Sequence, residues 1–111
     1  MNTTNNFRGE FEVIVKNKTM KGAFTMNALR LVMREEKLKL EEFDKYLSAD
    51  PLTAVPTIGY FSIVSEAAKN GKKVGINLEA FIAEVLDSGQ LEVISDALAN
   101  SLKTGDEEEG K

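Results

Sequence analysis

Polar and apolar residues alternate near the start of the chain. From Glu10 to Lys16 every second side chain is apolar, and the repeating residues are Phe11, Val13 and Val15. This period of two predicts a β-strand with one buried face. The run Asn17–Thr19 is a plausible turn, and Met20–Phe24 is predicted to return as a second, shorter strand. Gly22 weakens that second strand or marks a bulge in it. The N-terminal part therefore predicts a small β-hairpin.

After the hairpin the apolar residues recur at intervals of three and four, which is typical of amphipathic helices. Thr25 is the predicted N-cap of the first helix, because its side-chain oxygen can accept from the free amides of the first turn. A short helix is expected to follow, with an apolar face made of Phe43, Tyr46 and Leu47. Pro51 and Pro56 are predicted to bracket a loop, since each disfavours helical geometry in the residue before it.

From Thr57 onward the chain is apolar on most sides, which predicts the central helix of the domain. Asn70-Gly71 is expected to end it, and Asn77 to cap the next helix. The last helix is predicted over Leu91–Thr104. The predicted fold class is mainly α with a small N-terminal β-hairpin (α+β), as a compact bundle of about five short helices. Its predicted organisation is a flexible N-terminus over 1–8, a single domain over 9–104 and a disordered acidic tail over 105–111.

The composition of the chain excludes two classes of binding partner. The 111 residues carry a net charge of −4, and four of the acids stand together as Asp106–Glu109. A protein that binds nucleic acid gains most of its affinity from clustered Lys and Arg, so we expect no nucleic-acid partner. We also expect no membrane partner, because no apolar run approaches the roughly 20 residues that span a bilayer.

The chain contains neither cysteine nor histidine. The usual serine triad cannot be built without a histidine base, and no thiolate or imidazole can bind zinc. Glu41, Glu42 and Asp44 could be a divalent-metal site, but their spacing is not that of an EF-hand loop. They are better explained as acids in the first turn of a surface helix. We therefore predict no enzymatic activity, no catalytic or metal-binding residues and no cofactor.

The predicted hairpin is the candidate element for assembly with another protein chain. A two-stranded ribbon has two open edges and is marginally stable alone in water. It can pack on its own helices, pair with a second copy in self-association, or accept a strand from a partner. Packing on its own helices is the favoured single outcome.

Three segments together resemble the tail assembly chaperones of long-tailed bacteriophages, prophages and gene transfer agents. The hairpin leads into Gly22–Arg30, where a glycine and an aromatic residue precede a helix rich in small residues and leucine. The likeness continues through Leu38–Phe43 and through Asp50–Phe61, in which a proline-containing loop precedes a helix with a tyrosine. The two closing helices also match the family pattern, so about nine tenths of the chain is covered.

This resemblance implies a non-catalytic protein of the bacterial host cytoplasm. It would bind and solubilise the tape measure protein, an extended helical client, during tail morphogenesis, with tail tube subunits as a further candidate partner. The alternative function is a structural virion component, either a tail completion or a head–tail connector subunit. A helix-turn-helix regulator is a weaker alternative, because the last helix exposes acids where base-reading residues would stand. The candidate partner-binding residues are the apolar side chains least committed to a core: Phe7, Met20, Phe24, Tyr46 and Tyr60.

Overall fold

The computed structural model describes the backbone of residues 9–110 and the side chains of residues 9–101. Phe7 lies outside the described residues. Within them, an antiparallel hairpin at the N-terminus is followed by five α-helices, which confirms the predicted fold class. The elements are β1 (Glu10–Val15), β2 (Lys18–Ala23), α1 (Met26–Glu36), α2 (Phe43–Ala49), α3 (Pro51–Lys69), α4 (Leu78–Asp87) and α5 (Leu91–Gly110). A 3-10 turn over Leu40–Glu42 leads into α2.

The hairpin closes through the two-residue loop Lys16-Asn17. Both residues have positive φ, 51° and 66°, which is the backbone geometry of a type I′ turn. The predicted turn is therefore one residue too late, and β2 begins at Lys18 rather than at Met20. The favoured twist of the type I′ turn explains the difference, because it lets Val15 and Lys18 pair directly across the loop.

One face of the hairpin packs against the helices. The predicted alternation is confirmed, since Phe11, Val13 and Val15 are buried while Ile14 is 57% exposed. Gly22 lies opposite Phe11 in regular register, so it marks no bulge. A Cβ at Gly22 would stand 2.5 Å from the Phe11 ring and 3.0 Å from Ile63 Cγ1. The glycine therefore allows β2 to approach α3 closely. The main core contains Phe11, Val13, Val15, Val55, Ile63, Phe81, Val85, Ile94 and Ala97.

The helix ends are capped at the residues that the sequence predicted. The Thr25 hydroxyl accepts from the Ala28 N–H at 3.1 Å, and the Asn77 side chain accepts from the Ala80 N–H at 2.8 Å. Gly71 has φ +69°, and its N–H donates to the Ala68 carbonyl just after the end of α3. These contacts satisfy backbone groups that a helix end leaves without partners inside the helix.

The predicted loop between Pro51 and Pro56 is wrong, because both prolines belong to α3. Pro51 occupies the first position of the helix, where a missing N–H is harmless and the fixed φ suits helical geometry. Pro56 lies inside the helix and removes a bond to the carbonyl four residues earlier. The turn around it, residues 54–59, is buried on every side. Apolar burial here outweighs a local penalty of about 3 kcal/mol.

α3 is the central helix, as its wide apolar surface predicted. It contacts β2, α1, α2, α4 and α5, and so holds the hairpin and the other helices in one unit. The last helix, α5, continues beyond the predicted boundary at Thr104 to Gly110. Its acidic run contains no proline, and glutamate is a good helix former, so a helix can continue there without an apolar face. Lys111 lies outside the described residues.

Candidate protein-binding groove

A groove of about 780 Å³ lies between the hairpin and the loop that connects α3 to α4. One wall is β2 from Lys18 to Gly22, and the opposite wall is the loop segment Lys72–Gly75. Ile63 and Ala67, one turn apart on α3, line it between the walls. The hairpin and this loop are far apart in sequence and are brought together because both pack on α3. We call this feature the β2 groove.

The backbone of β2 faces the groove with hydrogen-bonding groups. A two-residue loop makes Val15 and Lys18 a hydrogen-bonded pair, and such pairs alternate along an antiparallel ladder. The peptide groups of Thr19 and Lys21 consequently point away from β1. No residue in the described part of the chain hydrogen-bonds to the outward N–H of either one. Within the part of the chain that the structure describes, β2 therefore has an open edge.

The edge of β1, in contrast, is partly closed by a side chain. The Ile14 N–H donates to Gln90 Oε1 at 2.7 Å, and Gln90 Nε2 donates to the Ile14 carbonyl. Gln90 reaches this position because the chain turns after α4 at Gly89, where φ is +73°. A side-chain amide thus imitates the donor and acceptor of a neighbouring strand. The two edges of the hairpin differ, and the β2 edge is the more accessible one.

Lysine side chains stand on both walls of the groove. Lys18, Lys72 and Lys73 are exposed, and none has an ion-pair partner within 4 Å among the described residues. Lys21 pairs with Glu12 across the hairpin at 3.6 Å, but both side chains are more than half exposed. Such exposed pairs contribute little and are screened by salt. Glu10, Glu12 and Glu66 also line the groove, but Glu12 pairs with Lys21 and Glu66 pairs with Lys69, each at 3.6 Å. Among the described lining residues, three lysines and one carboxylate are left without an ion-pair partner, so the rim is cationic on balance.

Of the four predicted contact residues that the structure describes, Met20 alone lines the groove. Phe24 is half buried beside Phe11, with ring centroids 5.3 Å apart. Tyr46 packs against the small second cluster formed by Val32, Ile58 and Leu98. Tyr60 packs on Phe81, with centroids 5.4 Å apart. Phe24 also packs against the second cluster, while Met20 and Tyr60 pack against the main core, so the four described members are divided between two clusters.

The two tyrosine hydroxyls differ in their environments. The Tyr60 hydroxyl donates to the Ile76 carbonyl at 2.8 Å, which ties α3 to the connecting loop. The Tyr46 hydroxyl is buried, and the Thr57 hydroxyl beside it does not complete a hydrogen bond. Burial raises the pKa of both phenols above the usual 10.0. For Tyr46, the carboxylate of Glu36 raises the pKa further, the neighbouring Thr57 hydroxyl lowers it and the carboxylate of Asp50 raises it.

This difference predicts opposite outcomes for two matched substitutions. Tyr60→Phe should lower the free energy of unfolding by about 0.5–1.5 kcal/mol, because it leaves the Ile76 carbonyl without its partner. Tyr46→Phe should cause no loss, since it removes a buried hydroxyl that lacks a hydrogen bond. Urea unfolding of the two variants, followed by far-ultraviolet circular dichroism, measures both values. Equal losses would contradict the hydroxyl assignments.

The lysines of the groove do not stand out as a site at the level of sequence. Lys72 and Lys73 form a basic pair in a predicted loop, but nothing local indicates that the loop lies beside β2. The sequence pattern also places Lys18 in the turn rather than in the strand. The useful signal is the combination of a short, glycine-containing edge strand with a basic loop elsewhere. Only the packing of both elements on α3 makes that combination a site.

The described residues offer no metal site and no membrane span. No three carboxylates among them lie close enough together to hold a metal ion, and this includes the helix-start acids Glu41, Glu42 and Asp44. No helix in the described part of the chain combines the length and the apolarity needed to cross a bilayer. No protein-family model, curated protein or solved structure matches this chain.

Proposed function

We propose that this chain is a non-catalytic tail assembly chaperone of a phage or prophage, which binds the tape measure protein and keeps it soluble. The β2 groove is the observation that carries the proposal. It combines an open strand edge, an apolar base and a charged rim, which is the composition of a reversible protein-binding surface.

The arrangement of the site suits a temporary complex. At the base of the groove, Ile63 is only 4% exposed and belongs to the core, so this side chain offers little apolar surface to a partner. Its polar groups include the outward backbone amides of β2, lysine ammonium groups and the carboxylates of Glu10, Glu12 and Glu66. A partner held by such groups can be released when a competing polymer offers a larger apolar interface. The resemblance of three segments of the chain to tail assembly chaperones supplies the identity of the client.

Co-expression tests this function. The chain is produced together with the tape measure protein proposed as its client, and the soluble fraction is assayed and subjected to affinity capture. We expect the client to be soluble only when the chain is present, and to co-purify with it. The reason is that the complex covers apolar client surface that would otherwise aggregate.

The matched control uses the same expression system with an empty vector and with an unrelated acidic helical protein. A client that stays insoluble and unbound would contradict the chaperone function. Finding the chain as a ring-forming component of purified particles would instead support the structural virion alternative.

A further inference from the structure

We propose that the β2 groove binds an extended segment of a partner protein by strand addition to β2, and that the segment carries acidic side chains. This inference rests on the proposed function, because it describes one non-helical segment of the otherwise helical client, but its test does not require the client.

The first support is the geometry of the edge. Thr19 and Lys21 present two consecutive outward peptide groups, spaced as an incoming strand requires. β2 from Lys18 to Gly22 offers an edge of roughly 17 Å at about 3.4 Å per residue, which accommodates about five residues of an added strand. Because Gln90 already bonds to Ile14 on the opposite edge, strand addition is directed to β2.

The second support is the two-sided lining of the groove. Side chains of a strand alternate between two faces. Alternate residues of an added strand would face Ile63 and Ala67, so small or medium apolar residues fit there. The residues between them would face the rim, where Lys21 stands on one wall and Lys72 and Lys73 on the other. The groove therefore favours a segment in which apolar and acidic residues alternate.

The charge of the groove also indicates whether its occupant is a segment of another protein or a second copy of this chain. Pairing β2 with the β2 of another copy would bring Lys18, Lys72 and Lys73 of both chains to one interface, with Glu10 of each chain as the lining carboxylate that has no ion-pair partner among the described residues. Like charges facing each other across a ladder are destabilising. An acidic partner strand converts the same lysines from repulsive to attractive neighbours. The occupant that fits is therefore an acidic segment of a different protein.

The test uses a defined peptide and the full-length chain. The probe is an acetylated and amidated octapeptide in which glutamate alternates with valine; its charge keeps it monomeric. In ¹⁵N-edited NMR titrations we expect the largest shifts at the Thr19 and Lys21 amides, together with slower hydrogen exchange at both. Raising the salt concentration should weaken binding, because the lysines on the rim are exposed.

Charge-reversal variants distinguish a loss of electrostatic attraction from a loss of folding. Lys72→Glu with Lys73→Glu should weaken peptide binding by about tenfold, because two attractive contacts become repulsive. The matched control is Lys39→Glu with Lys45→Glu, which makes the same charge change at exposed positions outside the groove lining. The control should bind as the unaltered chain does. Circular dichroism confirms that both double variants are folded.

Two peptide controls isolate the backbone contribution. The same octapeptide with the amides of both its valines and its glutamates N-methylated keeps every side chain but loses the strand donors in either strand direction, and it should not bind. An octapeptide alternating lysine and valine should not bind either. Shifts that map away from Thr19 and Lys21, or equal binding of all three peptides, would overturn the proposal.

Amide hydrogen exchange of the protein without peptide gives one more test of the proposal. If the Thr19 and Lys21 amides already exchange slowly without peptide, the edge is occupied and the proposal is wrong. Protection that grows with protein concentration would then identify a second copy, and constant protection another part of the chain. Capture of the client by a chain that does not bind the peptide would overturn strand addition while leaving the chaperone function standing. Peptide binding without client capture would have the opposite meaning.

Discussion

Phe81→Ala is expected to lower the free energy of unfolding by about 3–5 kcal/mol. Phe81 is 0% exposed and belongs to the main core, where its ring meets Tyr60. Removing the ring loses its apolar burial and also leaves a cavity that close-packed neighbours fill only partly. Since domains of this size are stable by only about 5–15 kcal/mol, this single change removes a large share of the total.

Chemical denaturation measures the effect. Phe81→Leu keeps most of the volume and should lose far less, so it remains informative even if the alanine variant is largely unfolded. Phe61→Ala is the matched control on α3, because Phe61 is only half buried. If the alanine variants at both positions lost the same stability, Phe81 would not be the centre of the core.

Gly59→Ala should lower the free energy of unfolding by about 1–3 kcal/mol through overpacking. In an exposed helix interior the same change would be stabilising by about 1 kcal/mol, since alanine is the better helix former. Gly59 is different because α3 and α5 meet there. A Cβ at this position would lie 2.9 Å from Ile94 Cδ1 and 3.0 Å from Ile94 Cγ2.

A double-mutant cycle distinguishes this contact from other causes. Ile94→Ala removes both contacted carbons, so in that background Gly59→Ala should become neutral or stabilising. Gly75→Ala serves as a control, because a Cβ added there would meet no described atom within 4 Å and the φ of Gly75 is not positive. If Gly59→Ala were equally harmful with and without Ile94, the helix contact would not be its cause.

Local patterns determined most of the elements. The alternation of Phe11, Val13 and Val15 identified β1 and its buried face, because successive side chains of a strand point to opposite faces of the sheet. Thr25 and Asn77 identified two helix starts, since a short polar side chain can reach the free amides. Asn70-Gly71 identified the end of the central helix. Each of these signals acts within a few residues and is therefore readable from sequence.

Sequence signals were less reliable where a local conformational preference competes with tertiary packing. Pro56 locally disfavours a helix, yet α3 includes it because its turn is buried on all sides. The predicted contact residues are divided between two clusters for a similar reason. Apolar character predicted Phe24, Tyr46 and Tyr60, but these side chains are needed to cover the two cores.

The sequence by itself determined a hairpin followed by helices, because periodicity, caps and helix stops are local properties. Only the tertiary structure decided which hairpin edge is open. Gln90 lies 76 residues from Ile14 and closes part of one edge, while Lys72 and Lys73 come to face the other across α3. No local sequence pattern determines that residues so far apart in the chain lie close together in space. They arise from the burial of Phe11, Ile63 and Phe81 in one core, which fixes where every surface group must lie.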